Sequence, residues 1–318
     1  MSTLVTGAAG FIGSHLCERL VRDGATVIGL DDFNDYYDPR RKRANIAALE
    51  RHDRFTMVEA DVRDERAVEA VFSRHGPQTV AHLGAYGGVR YSIPRASLYT
   101  QVNIAGSVNL LDAARRHGVD AFVFASTSSV YGRTEKLPFV ETDPCNEPLA
   151  PYPATKKAVE VLGHSTHHLH GMPFTALRFF SVYGPRGRPD MMPYIVTDSV
   201  FRGETITLFD DGNLERDWTF VDDVVSGIVA ALQRPQGYQI INLGRGNPVR
   251  MSDFVRIVEQ LQGRKAAIET QAAPASEPKV TWANIEKARR LLDYEPTTTI
   301  EKGLARLWDW YRAEVAEK

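Results

Sequence analysis

Leu4-Val5-Thr6-Gly7-Ala8-Ala9-Gly10-Phe11-Ile12-Gly13, close to the start of the 318-residue chain, is the stretch that decides the fold. A short apolar run feeds three glycines, and a helical pattern follows. Gly7 permits a tight turn, Gly10 lets backbone amides approach a pyrophosphate, and Gly13 allows the helix to pack closely. The N-terminus of the helix that opens at Phe11 and Ile12 favours the negative charge. Asp31 ends the next apolar run, where a carboxylate can accept both ribose hydroxyls of an adenosine. It would repel a 2′-phosphate, so the expected cofactor is NAD rather than NADP.

Working outward, short apolar runs alternate with longer helical patterns. They are Leu4 to Thr6, Val27 to Leu30, Met57-Val58, Thr79 to Ala81, Phe122 to Phe124 and Thr175 to Leu177. This alternation implies right-handed βαβ crossovers and a parallel sheet covered on both faces, the doubly wound α/β class. Ala96 to His117 reads as one long helix, and another begins near Tyr152. Side by side, their apolar stripes would serve either a dimer interface or burial against the sheet. Prolines between Pro138 and Pro153, and again between Pro185 and Pro193, stiffen two connections. We therefore expect a cofactor-binding Rossmann part over 1–180 and a smaller α/β substrate lobe over 181–318. The two should interleave, because Tyr238 to Leu243 looks like a strand returning to the sheet.

Composition narrows the function. The formal net charge is -2, and the basic run Arg40-Arg41-Lys42-Arg43 is short and reads as a solvated helix start, so no field for nucleic acid or membrane is visible. No apolar run is long enough to span a bilayer, and Thr3-Leu4-Val5 leaves no room for a signal peptide, so a cytoplasmic protein is expected. Cys17 and Cys145 fit no metal or redox spacing. His164 and His168 have the spacing of a zinc pair but no Glu between them, and His82 reads as a packed core residue. No metal is expected.

Tyr152-Pro153-Ala154-Thr155-Lys156 places a phenol and an ammonium four residues apart, on one helix face. A nearby ammonium stabilises a phenolate, making Tyr152 a base able to take a proton from a sugar hydroxyl as hydride leaves the same carbon. Such a pair is common by chance. Its force comes from following a glycine-rich turn and the hydroxyl-rich Ser126-Thr127-Ser128-Ser129 at the end of the fifth strand.

With these residues in view, the whole chain resembles the extended short-chain dehydrogenase/reductase family, whose glycines share the three-then-three spacing of Gly7, Gly10 and Gly13 region. It is most similar to the UDP-glucuronate 4-epimerases, through Asp31-Asp32-Phe33-Asn34-Asp35-Tyr36-Tyr37-Asp38-Pro39, Gly88-Val89-Arg90-Tyr91-Ser92, Ser128-Ser129-Val130-Tyr131-Gly132, Arg178-Phe179-Phe180 and Gly187-Arg188-Pro189-Asp190-Met191. The resemblance implies a homodimer that retains NAD through turnover and a UDP-sugar as its substrate. It implies further cofactor contacts from Asp61, Val62, Leu83, Ala85 and Asn103, although Asp61 could instead cap a helix. Thr127 would share the substrate hydroxyl with Tyr152, and Ser128, Ser129 and Ser181 would bind the sugar carboxylate with support from Arg188. Capping of a turn is the alternative for the two adjacent serines. Arg216 would meet the pyrophosphate, with Arg90 and Glu277 also at the substrate.

The implied reaction inverts C4 of UDP-glucuronic acid through a 4-keto intermediate to give UDP-galacturonic acid, with no net oxidation. Related sugar-nucleotide dehydratases carry Asp and Glu where Ser128 and Ser129 stand, and UDP-glucuronate decarboxylases carry Glu in place of Ser129. Neither activity is favoured. Several positions depart from the nearest pattern. Ala85-Tyr86-Gly87-Gly88 replaces Ala-Gln-Ala-Gly, Ser181 replaces Thr, Glu277 and Asn284 replace Asp, and Met192-Pro193-Tyr194-Ile195 looks more like UDP-galactose 4-epimerases. A 4-epimerase of UDP-glucose or UDP-N-acetylglucosamine is therefore the second reading. A catalytically idle NAD-binding scaffold is the third, and the Tyr152-Lys156 pair speaks against it.

Overall fold

The computed structural model describes residues 1–316. Seven parallel strands form the central sheet: β1 (Ser2–Thr6), β2 (Thr26–Asp31), β3 (Phe55–Glu59), β4 (Thr79–His82), β5 (Ala121–Thr127), β6 (Phe174–Phe179) and, after four intervening strands, β11 (Tyr238–Leu243). Their spatial order is β3-β2-β1-β4-β5-β6-β11. The order in which successive strands are added reverses between β1 and β4, which opens a crevice at the carboxyl ends. Register brings the ligand-facing ends level, with Thr6 opposite both Leu30 and His82. Gly7, Asp31 and Leu83 therefore leave the sheet side by side.

The strands are apolar throughout because both faces are covered. Along β1, Val5 joins a core with Leu16 and Leu20 of α1 (Phe11–Arg22), while Leu4 joins the opposite core with Phe122 and Val80. The first face carries α1 and α9 (Val221–Gln233); the second carries α3 (Glu65–His75), α6 (Gly106–Arg116) and α7 (Pro151–His170). Burying one Phe such as Phe122 contributes about 2 kcal/mol. Shorter helices complete this part: α2 (Pro39–Ile46), α4 (Val89–Ser92) and α5 (Ala96–Tyr99).

The remaining elements form small two-stranded sheets and the helices around them. β7 (Ser181–Tyr183) pairs with β10 (Trp218–Phe220), β8 (Thr205–Phe209) with β13 (Ala267–Gln271), and β9 (Glu215–Arg216) with β12 (Val249–Arg250). Around them lie α8 (Met192–Arg202), α10 (Met251–Gln262), α11 (Glu286–Leu292) and α12 (Ile300–Tyr311). One continuous apolar core runs from β1 and α1 into Phe254 of α10 and Leu304 of α12. Of the span 181–318, the last two residues lie outside the described residues.

Three details differ from the sequence reading. The helix from Ala96 is not uniformly α-helical: Thr100–Ala105 is a π-helical segment between α5 and α6. The basic run is not wholly solvated, because Lys42 is buried and its ammonium donates to the carbonyl of Asn34 at 2.8 Å. Asp61 does not cap the next helix; Asp64 does, accepting from the amides of Arg66 and Ala67. His82 is buried between the hydroxyls of Thr6 at 2.7 Å and Ser107 at 2.8 Å. Both cysteines are free and buried. Among the described residues no helix is long and apolar enough to cross a membrane, and no cluster is suited to hold a metal.

Candidate active site

A cleft follows the carboxyl edge of the sheet from Asp31 to Ser181. Its floor is the glycine turn. Gly7 has a φ of 67°, in the left-handed region that glycine adopts without strain, and a Cβ at Gly13 would stand 2.0 Å from the Gly7 carbonyl oxygen. The turn thus closes only with glycine at both places. Gly10, Phe11 and Ile12 line the cleft, and no side chain caps the first turn of α1, so its amides remain available to an anion. At one end the buried Asp31 carboxylate accepts the amides of Ala9 at 3.1 Å and Phe33 at 2.9 Å. Burial pushes its pKa up, with Lys42 and those two amides opposing. Lone pairs left on both oxygens suit a ribose diol. Val62, Leu83 and Ala85 line the adjoining wall. These residues fit NAD.

Two expected cofactor contacts stand back from the cleft. Asp61 turns its carboxylate onto the Arg63 guanidinium at 2.6 Å. Asn103, in the π-helical segment, accepts the Tyr86 amide at 2.9 Å and donates to the Tyr86 carbonyl at 3.0 Å and the Thr155 hydroxyl at 3.1 Å. It fastens the loop after β4 to α7.

At the middle of the cleft, β5 and α7 deliver the reactive groups. The Thr127 hydroxyl hydrogen-bonds the Tyr152 phenol and accepts the Ser129 amide at 3.2 Å. Burial raises the Tyr152 pKa, opposed by that bond and by the Arg188 charge. One helical turn on, the buried Lys156 ammonium lies 4.7 Å from the centre of the Phe124 ring, and burial pulls its pKa down to about 7. Pro151 and Pro153 fall in the first turn of α7, where a missing N–H costs little.

Ser128, Ser129, Ser181 and Arg188 line the far end. Arg188 donates from Nε and Nη2 to the two oxygens of Asp190, both at 2.9 Å, and lies 5.3 Å over the Tyr36 ring. Tyr36 in turn donates its hydroxyl to Asp190 at 3.0 Å. The loop after β2 is thereby tied across the cleft to the loop after β7. A second recess shares Val89, Ser128, Ser129 and Ser181 with the cleft and continues to Arg216 and Glu277. There the Glu277 carboxylate bridges Arg90 at 3.0 Å and Arg216 at 2.9 Å.

A sequence model of the NAD dependent epimerase/dehydratase family matches residues 3–244. The chain belongs to this family. A UDP-glucuronate 4-epimerase of Thermodesulfobacterium geofontis is 40% identical over 313 residues, covering 98% of this chain and 96% of that protein. Among solved structures, the UDP-glucuronic acid 4-epimerase of Bacillus cereus in complex with UDP-glucuronic acid and NAD superposes with a TM-score of 0.92 at 36% identity, covering 98% of this chain and 99% of the other. The UDP-glucose 4-epimerase of Thermotoga maritima with UDP-glucose gives a TM-score of 0.91 at 30% identity over the same shares. Dependence on NAD is a property of the family, and the expected cofactor stands.

The structure also brings in residues that sequence reasoning missed. Tyr36, Tyr86, Tyr91 and Tyr99 form, with the expected base Tyr152, a chain of edge-on and tilted rings, with centroids 4.8 to 6.5 Å apart, along one wall. Beneath the serines, Glu160 accepts Arg178 at 2.9 Å and Ser126 at 2.6 Å. The first group carried a signal in the tyrosines flanking known motifs; the second is visible only once β5, β6 and α7 are adjacent.

Proposed function

We propose that the protein inverts C4 of UDP-glucuronic acid to give UDP-galacturonic acid, acting as a cytoplasmic homodimer. The observation that carries this reading is the meeting, in one cleft, of the Thr127-Tyr152-Lys156 set with hydroxyls at 128, 129 and 181 and a guanidinium at 188, with serines at the two positions where the dehydratases carry their carboxylates. The Bacillus cereus and Thermodesulfobacterium geofontis proteins, both named for this activity, support it.

In this reading Gly7, Gly10, Phe11, Ile12 and Gly13 hold the pyrophosphate of NAD, Asp31 the adenosine ribose, and Val62, Leu83 and Ala85 the bases, while Asn103 steadies the wall behind them. Asp61 acts from the edge of the adenine pocket. Bound there, NAD supplies an acceptor for a hydride and then its donor. Tyr152 takes the proton from the C4 hydroxyl, which Thr127 holds in place, and Lys156 favours the phenolate by its charge. The sugar turns over as a planar ketone while Arg216 keeps the diphosphate. With the other face of C4 now presented to the cofactor side of the cleft, Tyr152 returns its proton to the C4 oxygen. Because a 4-keto uronic acid is a β-keto acid, Ser128, Ser129, Ser181 and Arg188 must hold the carboxylate out of the alignment that releases carbon dioxide. Arg90 and Glu277 set the position of Arg216 and of the uridine ribose.

One observation favours the neutral-sugar reading: Arg188 already spends two nitrogens on Asp190, which reduces what it offers a substrate acid. Purified protein without added NAD, incubated separately with UDP-glucuronate and UDP-glucose and followed by NMR, decides between them. UDP-galacturonate should form in the first tube, and Tyr152→Phe should lower that rate at least about a hundredfold while UDP binding persists. Conversion of UDP-glucose alone would overturn the acid-sugar assignment.

A further inference from the structure

His82 ends β4 beside the glycine turn, buried and with both ring nitrogens engaged. Nδ1 lies 2.7 Å from the Thr6 hydroxyl and Nε2 lies 2.8 Å from the Ser107 hydroxyl. The neighbours settle which nitrogen carries the proton. Ser107 donates its hydroxyl to the Asn103 carbonyl at 2.5 Å, so it can only accept from the ring, and Nε2 is the N–H. Burial, and then the Lys156 charge, pull the His82 pKa down to about 3, so at neutral pH the ring is uncharged and Nδ1 is bare. Thr6 therefore donates to Nδ1, which leaves its oxygen to accept the Gly84 amide at 3.0 Å. A single directed chain results, running from the Gly84 amide through Thr6, His82 and Ser107 to the Asn103 carbonyl. Both of its ends grip one loop. Leu83, Gly84 and Ala85 wall the cofactor cleft, and a Cβ on Gly7 would stand 2.8 Å from the Gly84 nitrogen. Asn103 holds the amide and carbonyl of Tyr86 and donates to Thr155, whose hydroxyl donates to the Tyr152 carbonyl at 2.8 Å.

We propose that His82 is a positioning residue for the reaction: held as the Nε2–H tautomer, it is the link that sets the cleft wall at 83–86 in register with the first turn of α7, and so the cofactor's seat in register with the Tyr152 phenol. This rests on the role of Tyr152 given above. Cut at either hydroxyl, the loop keeps its packing and loses that register.

The test, on full-length protein, separates the hydroxyl of Thr6 from its methyl. Thr6→Val keeps the shape and removes the hydroxyl, whereas Thr6→Ser removes the methyl and keeps the hydroxyl. Both should lower Tm, but only Thr6→Val should lower kcat on UDP-glucuronate, by about tenfold, the effect of a sub-ångström misplacement. UDP should bind all three proteins equally. Ser107→Ala cuts the chain on the far side of the ring. It should lower kcat as Thr6→Val does, add little to the loss in the double variant, and speed hydrogen exchange at the Gly84 amide, beyond His82. In the nitrogen spectrum of protein carrying isotope-labelled histidine, the ring signals lost in His82→Gln should be those of a protonated Nε2 and a bare Nδ1. A protonated Nδ1, kcat losses that follow Tm in both Thr6 variants, additive losses, or an unmoved Gly84 amide in Ser107→Ala would each overturn the proposal. If Thr6→Val does not fold, kcat and Tm of Ser107→Ala and Thr6→Ser are compared in the same way. Should the wild type convert no sugar nucleotide, the proposed function fails separately, and the tautomer and the Gly84 exchange decide the role of His82.

Discussion

Lys156 is buried against Phe124 with no carboxylate beside it among the described residues, and that isolation has a measurable cost. Its pKa falls from an ordinary 10.5 to about 7 because burial disfavours the ammonium. Between those values the unfolded chain keeps a proton that the folded NAD-free protein has shed. Stability should therefore climb as pH rises from about 7 toward 10.5, the penalty being complete below 7. Urea midpoints at pH 7 and pH 9 should show this climb in wild type and a smaller one in Lys156→Met; identical slopes would contradict it. The identity of Lys156 and its partner Tyr152 was legible in the sequence, because spacing on a helix is a local property. The environment was not. Phe124 comes from β5, and only the tertiary fold brings its ring beneath the ammonium.

At the scale of elements, β5, β6 and α7 are joined by one buried ion pair. Arg178 and Glu160 are both fully buried, and Glu160 also accepts the Ser126 hydroxyl next to Thr127. Burial would raise the Glu160 pKa, yet the hydrogen bonds and charge of Arg178 hold it below its usual value. Glu160→Ala would strand a buried guanidinium, and we expect it to lower unfolding free energy by about 3–5 kcal/mol in chemical denaturation. Replacing both by Met should restore much of that loss. Element existence was read well where a short apolar run stands between longer helical patterns, as in the strands of the main sheet. It was missed for β8 and β13, whose Thr205-Ile206-Thr207-Leu208-Phe209 alternates but whose partner Ala267–Gln271 is exposed throughout and carries no burial pattern. The π-helical segment was also invisible: it carries Asn103, whose side chain meets Tyr86 and Thr155, contacts remote in sequence.

For the whole molecule, α7 and the helix from Ala96 to Arg116 pack side by side, and Val161 and Leu169 of α7 remain 58% and 67% exposed. If these faces pair two copies, as the homodimer proposal requires, Val161→Asp should yield monomers in sedimentation at micromolar concentration, while the wild type sediments as a dimer. A monomeric wild type would remove that proposal. The return of Tyr238 to Leu243 to the main sheet was legible as an apolar run of its own, although no local feature told that α9 would cross back to pack on α1. That returning strand has a consequence for synthesis on the ribosome. β6 gains its outer neighbour only after 58 further residues, Phe180 to Gly237, have been made, so its backbone donors and acceptors stay bare through that interval. A nascent chain halted between Phe180 and Leu243 is thus a sticky half-sheet, one that invites chaperones or its own neighbours until translation passes Leu243.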